Sequence, residues 1–135
     1  LQPFLDYEDK GCVILCRTSN PSAREFQDLL VDGKPLWQMV AEKIVAEWNE
    51  NENCLLAVGA TYPGELKTIR KAVGELTLLV PGIGAQGGDI KASVKACLNS
   101  KDKGLILSAS RAIIFAENPG EAARLLRDEI NSCRG

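Results

Sequence analysis

The sequence predicts an α/β protein built on a parallel sheet, with helices covering its outer face or faces. Three observations carry the prediction. Four short runs, Cys12-Val13-Ile14-Leu15-Cys16, Cys54-Leu55-Leu56-Ala57-Val58-Gly59, residues 76–80 and Leu105-Ile106-Leu107-Ser108, are dominated by apolar residues, without inside-outside alternation. That is the pattern of strands buried on both faces. Segments with apolar residues at helical spacing separate these runs, so strand and helix alternate along the chain. Two architectures fit, a small open doubly wound sheet and half of an eight-stranded (β/α)8 barrel, and the pattern alone does not choose between them.

Residues 1–10 are polar and aromatic, with Pro3 and a cluster of acids, and read as the tail of a preceding element, so that the chain begins in mid-fold. The first strand runs into Arg17-Thr18-Ser19-Asn20-Pro21, where Asn20 as N-cap and Pro21 at the first helical position mark a helix start. Helix is expected through Phe26 and Leu30, until Asp32-Gly33-Lys34-Pro35 breaks it. From Leu36 onward Trp37, Val40, Ala41, Ile44, Val45 and Trp48 fall on one helical face, with Glu42, Lys43 and Glu47 opposite. The two tryptophans read as packing residues. After a polar connection and the second strand, Thr61-Tyr62-Pro63 opens a helix carrying Leu66, Ile69 and Val73. A glycine-rich loop follows the third strand, and Ile90, Val94 and Leu98 mark the next helical face. Lys101-Asp102-Lys103-Gly104 turns the chain into the fourth strand. Asn118-Pro119-Gly120-Glu121 resembles a capping box, and Ala122, Leu125, Leu126 and Ile130 give the last helix its inner face. No internal repeat is visible, and residues 1–135 read as a single segment.

Composition excludes several classes of function. The chain has 135 residues, 45% hydrophobic and 25% charged, ordinary for one domain with a core. A net charge of -2 and a pI near 5.2 provide no basic field for nucleic acid. No apolar stretch approaches the length of a membrane span, and Leu1-Gln2-Pro3-Phe4-Leu5-Asp6 is not a secretion signal, so a cytoplasmic protein is expected. The five cysteines, Cys12, Cys16, Cys54, Cys97 and Cys133, show no Cys-x-x-Cys spacing and read as reduced thiols. There is no histidine. Its absence removes Ser-His-Asp triads, Cys-His pairs and His-ligated metal sites together, and leaves chemistry to Lys, Asp, Glu, Arg and backbone groups.

The stretch most suggestive of a ligand is Leu78-Leu79-Val80-Pro81-Gly82-Ile83-Gly84-Ala85-Gln86-Gly87-Gly88-Asp89. Gly82, Gly84, Gly87 and Gly88 let the backbone turn tightly and approach a ligand without a Cβ in the way. Asp89 is a good N-cap type, so amide groups of the loop and of the following helix start could converge on a phosphate. An ordinary strand-to-helix loop has the same composition. Gly82-x-Gly84-x-x-Gly87 also matches the dinucleotide fingerprint, but the acid expected about twenty positions on is missing. That region reads Ile106-Leu107-Ser108-Ala109-Ser110-Arg111, where Arg111 could meet the extra phosphate of NADP. Polar residues gather at the strand ends, at Thr18-Ser19-Asn20, Thr61, Gln86 and Ser108 to Arg111, where both architectures place their ligand site.

Four segments, Arg17-Thr18-Ser19-Asn20-Pro21, Val58-Gly59-Ala60-Thr61-Tyr62-Pro63, the glycine stretch from Leu79 to Asp89, and Ser110-Arg111-Ala112-Ile113, together resemble the orotidine 5′-phosphate decarboxylase family over essentially the whole chain. The resemblance implies a (β/α)8 barrel, of which this chain would be the C-terminal half. It implies removal of CO2 from orotidine 5′-monophosphate to give UMP without metal or organic cofactor, by an enzyme that is usually a homodimer. It further implies that Gln86 and Arg111 hold the 5′-phosphate with an amide near Ser110, that Ser19 hydrogen-bonds the pyrimidine, and that Pro81 lines the pocket. The loop of residues 82–89 would then close over the phosphate. The family's Asp-x-Lys-x-x-Asp array has no counterpart here. Asp32-Gly33-Lys34-Pro35-Leu36-Trp37 and Asp89-Ile90-Lys91-Ala92-Ser93-Val94 both lack its final Asp, so no catalytic residue is assigned to this chain. The missing N-terminal half is an expected partner. A dinucleotide (NADP)-binding domain and a non-enzymatic half-barrel are the alternatives.

Overall fold

A computed structural model of the chain describes residues 1–59, 63–82 and 90–134. A short helix α1 (Gln2–Leu5) precedes the first strand β1 (Cys12–Arg17). A 3-10 turn (Pro21–Ala23), the short α2 (Arg24–Gln27) and a small hairpin of β2 (Leu30–Val31) and β3 (Lys34–Pro35) lead into α3 (Leu36–Lys43), which ends in a π-helical turn (Ile44–Trp48). Then come β4 (Cys54–Val58), α4 (Pro63–Val73), β5 (Thr77–Pro81), α5 (Ile90–Cys97), β6 (Leu105–Ser108), α6 (Arg111–Ile114) and α7 (Pro119–Ser132).

The strand order chooses between the two architectures. The main sheet runs β1-β4-β5-β6, all parallel and in chain order. A doubly wound sheet reverses its direction at a switch point, and this sheet does not. Because βαβ crossovers are right-handed, crossovers that all step the same way place every helix on one face. The helices form that single layer, α3 against α4 and α4 against α5. Leu56, Val58, Leu78 and Val80 from the sheet meet Ala41, Ile44, Leu66, Ile69 and Cys97 from the helices in one core. Each fully buried aliphatic side chain there contributes roughly 1.5–3 kcal/mol.

Among the described residues, no helix packs on the other face of the sheet. Register places Val13 beside Leu55, Leu15 beside Ala57, and Leu79 between Ala57 and Ile106. Val13, Leu15 and Ile106 are 50%, 62% and 47% exposed. These apolar residues explain why the strands read as unbroken apolar runs: one face packs on helices and the other is a barrel interior. The fold is a parallel α/β half of a (β/α)8 barrel.

Several local expectations need correction. The stretch from Phe26 to Leu30 is not one helix, since α2 ends at Gln27 and Leu30 begins a hairpin strand. Asp32 and Gly33 take φ of 52° and 79°, the left-handed pair that a two-residue hairpin turn requires. The expected long helix from Leu36 changes pitch at Ile44, and the π-helical turn leaves Val45 exposed. Asn20 precedes a helical turn with Pro21 at its first position, but its side chain donates to Ser22 Oγ at 2.7 Å instead of capping. Asn118 does cap: its Oδ1 accepts from the Glu121 amide at 3.0 Å. Glu121 itself turns to Arg124, and Leu125 lies exposed, outside the inner face of α7. Residues 1–10 include a buried anchor, Leu5, whose carbonyl accepts from the side-chain amides of Asn51 and Asn53.

At the amino end of the strands Arg70 ties the layers together. Its guanidinium donates to the carbonyls of Cys97 (2.8 Å), Gly74 (2.6 Å), Leu76 (2.7 Å) and Gly104 (2.9 Å), linking α4, the end of α5 and the entries of β5 and β6. In a barrel this end serves stability, which leaves the opposite end for the ligand.

Candidate functional site

Parallel strands bring all their carboxyl ends to one edge, so the polar strand-end residues share that edge because of the topology. Ser19 follows β1, Pro81 closes β5 with Gly82 behind it, and Ser110 and Arg111 follow β6. Strands lie about 4.8 Å apart, so the ends of β1 and β6 are separated by about 14 Å along the sheet, and by less across a curved barrel mouth. A ligand with two distinct ends can bridge that span.

At the β5–β6 end the geometry is tight. Pro81 pairs in register with Ser108, and the Gly82 amide donates to the Ser108 carbonyl at 3.1 Å. Gly82 has φ 89°, a left-handed conformation that favours glycine, and so the chain can leave the strand at once. Ser110 precedes α6, and its carbonyl accepts from the amides of Ile113 and Ile114, which sets the short turn that begins with Arg111. Both Ser110 and Arg111 are exposed. Among the described residues the Arg111 guanidinium enters none of the ion pairs. Gly84, Gln86, Gly87, Gly88, Asp89 and Thr61 lie outside the described residues.

Ser19 sits in a more elaborate setting. Between Leu15 and Arg17 the pairing of β1 with β4 slips, leaving Cys16 as an extra residue and setting Arg17 beside Val58. Strict alternation would send Arg17 into the barrel interior with Val13 and Leu15. The bulge turns it into the helix layer, where it is 2% exposed. There Nε donates to Glu65 Oε2 at 2.9 Å, and Nη2 lies 3.1 Å from Asp28 Oδ1. Gln27 Oε1 accepts from Arg17 Nη1 at 3.2 Å and from the Thr18 amide at 2.9 Å. On the sheet side the Gly59 amide donates to the Arg17 carbonyl at 2.7 Å. A Cβ on Gly59 would lie 2.9 Å from the Ser19 nitrogen and 3.0 Å from the Ser19 Cβ. The Cys16 thiol, donating to the Trp37 carbonyl at 3.1 Å, is pushed up to about 12 by burial and is therefore inert at neutral pH.

The strand order thus brings Ser19, Pro81, Ser110 and Arg111 to one edge. The sequence alone assigns no role to Arg17, Gln27, Glu65 or Gly59. The available signal was a cation closing an apolar run, where a buried charge requires acidic partners elsewhere in the chain.

Fold and site define a class: half of a (β/α)8 barrel with its ligand edge at the carboxyl ends of four consecutive strands. The chain belongs to the Orotidine 5′-phosphate decarboxylase / HUMPS family, whose model matches residues 2–126. It is 50% identical over 143 residues to the orotidine 5′-phosphate decarboxylase of Bordetella avium, covering 99% of this chain and 53% of that protein. The structure of Leishmania donovani OMP decarboxylase superposes with a TM-score of 0.93 at 41% identity, covering 99% of this chain and 52% of the other. That of Leishmania donovani UMP synthase superposes with a TM-score of 0.94 at 44% identity, covering 98% of this chain and 30% of the other. The chain spans about half the length of the curated relatives it matches.

Proposed function

We propose that this chain is the nucleotide-holding half of an orotidine 5′-phosphate decarboxylase, which converts orotidine 5′-monophosphate to UMP and CO2 in pyrimidine biosynthesis, without metal or organic cofactor. The observation that carries the reading is the gathering of Ser19, Pro81, Ser110 and Arg111 on the carboxyl edge of a half-barrel belonging to this family. In this reading Arg111 supplies a fixed cationic fork for the 5′-phosphate, with Gln86 and an amide near Ser110 beside it. Residues 82–88 wrap that phosphate, Pro81 lines the pocket, and Ser19 hydrogen-bonds the pyrimidine at the far end of the site. The span from β6 to β1 suits a nucleoside monophosphate held base at one end and phosphate at the other. The proton donor and its carboxylates belong to the N-terminal half of the barrel, whose place is the open edges of β1 and β6 and the bare apolar face. The complete enzyme works as a cytoplasmic homodimer.

The dinucleotide reading of Gly82-x-Gly84-x-x-Gly87 finds no support in the fold, because its binding crevice needs a switch point that this sheet does not have. The test is reconstitution. This chain alone is expected to give no UMP from orotidine 5′-monophosphate, and the same chain combined with the N-terminal half of the Bordetella avium relative is expected to give it. Turnover by a sample containing only these 135 residues, or a combined barrel that binds no UMP, would overturn the proposal.

A further inference from the structure

We infer that Gln27 is a positioning residue for Ser19, holding the loop after β1 where Ser19 meets the pyrimidine; this rests on the proposed role of Ser19. Arg17 is the fixed point. A guanidinium buried to 2% exposure, paired with Glu65 and Asp28, cannot swing away from them without breaking both ion pairs. Gln27 joins that anchored guanidinium to Thr18, the residue before Ser19. One oxygen, Gln27 Oε1, accepts from Arg17 Nη1 at 3.2 Å and from the Thr18 amide at 2.9 Å. The other end of the same amide, Nε2, donates to Thr18 Oγ1 at 3.1 Å. The cation fixes which way the amide points, because only oxygen can face Arg17.

Gly59 limits Ser19 from the opposite side. The Arg17 carbonyl is tied to the Gly59 amide at 2.7 Å, and the space a Cβ would fill on Gly59 is taken by the Ser19 backbone. Ser19 is therefore held between the helix layer, through Thr18 and Gln27, and the end of β4. Removing the Gln27 amide frees the Thr18 N–H to seek water and lets Ser19 drift from the sheet, while the β6 end, where the phosphate is read, is untouched. The loss should fall on the base.

The experiment is calorimetric titration of the complete barrel with UMP and with ribose 5-phosphate, which has the phosphate but no base. Gln27→Met is expected to weaken UMP roughly fivefold to tenfold, the worth of about one hydrogen bond, and to leave ribose 5-phosphate within about twofold. Gln27→Glu keeps an acceptor for Arg17 and Thr18 and should restore most of the UMP affinity. In a Ser19→Ala background Gln27→Met should have no further effect on UMP. Equal losses for the two ligands, no loss for UMP, or an undiminished loss in the Ser19→Ala background overturns the inference. If Ser19→Ala alone leaves UMP unchanged, the base contact proposed for Ser19 fails and this inference falls with it. If Ser19→Ala weakens UMP and Gln27→Met does not, only the positioning role fails. Should Gln27→Met not fold, Thr18→Val, which removes the hydroxyl that Gln27 holds, is expected to give a UMP-selective loss of about threefold, and a loss shared by ribose 5-phosphate overturns the inference.

Discussion

Replacing Gly59 by alanine adds one methyl group, and the structure assigns it a cost because of where that methyl must go. The new Cβ would lie 2.9 Å from the Ser19 nitrogen, 3.0 Å from its Cβ and 3.2 Å from its Cα. Two of these three atoms are backbone, and they cannot retreat freely because the Gly59 amide is bonded to the Arg17 carbonyl at 2.7 Å. Overpacking against a held backbone costs about 1–3 kcal/mol. Gly64 is the internal control. It lies in the first turn of α4, with nothing within 4 Å of its Cβ position, so Gly64→Ala should be neutral or stabilise by up to about 1 kcal/mol through helix propensity. The same substitution five residues apart should thus move stability in opposite directions. Urea denaturation of both variants measures the difference, and UMP titration should show a loss only for Gly59→Ala. Equal stability of the two alanine variants would refute the close approach of Ser19 to β4.

Arg70→Met keeps much of the side chain's bulk but leaves the carbonyls of Gly74, Leu76, Cys97 and Gly104 without their shared donor, at a cost of roughly 2–4 kcal/mol. Chemical denaturation checks this, and ligand affinity at the opposite end of the sheet should change little. The Cys16 and Cys97 thiols, pushed up from 9.0 to about 12 chiefly by burial, stay neutral in the fold while they ionise in the unfolded chain near 9.0. Protons leave the unfolded state first, so stability falls as pH rises from about 9 toward 12, by up to about 1.4 kcal/mol per pH unit for each thiol. Denaturation midpoints across that range should fall less steeply in Cys97→Ala, and an unchanged decline would remove burial of that thiol as the cause.

The layer structure was legible because strand and helix leave different marks on the chain. Four apolar runs separated by helical stripes require a parallel sheet, and all four strands stand where those runs lie. The choice of half-barrel over open sheet was not legible from pattern, since strand order is a long-range property that periodicity does not record. Asp32-Gly33 carries a hairpin signal but reads as a helix breaker, because Leu30-Val31 and Lys34-Pro35 are too short to show strand periodicity. The pitch change at Ile44 left no mark, since Trp37, Ala41 and Ile44 are buried at ordinary helical spacing up to the point where the turn widens. Position after an apolar run pointed to the strand ends and to Arg111, whereas the roles of Ser19, Pro81 and Ser110 came only with the family resemblance. The bulge that turns Arg17 into the helix layer could not, because its partners Gln27, Asp28 and Glu65 come from two separate helical segments that meet only in the fold.

The central claim is that the β6 end of this edge grips a phosphate, and one titration series on the complete barrel addresses it directly: UMP, uridine and NADP against the native protein and Arg111→Ala. A charge-assisted hydrogen bond is worth about 1.5–3 kcal/mol, so Arg111→Ala should weaken UMP by roughly tenfold to a hundredfold and leave uridine nearly unchanged, with NADP binding less tightly than UMP to the native protein. Equal losses for UMP and uridine, or tighter binding of NADP than of UMP, would contradict the account.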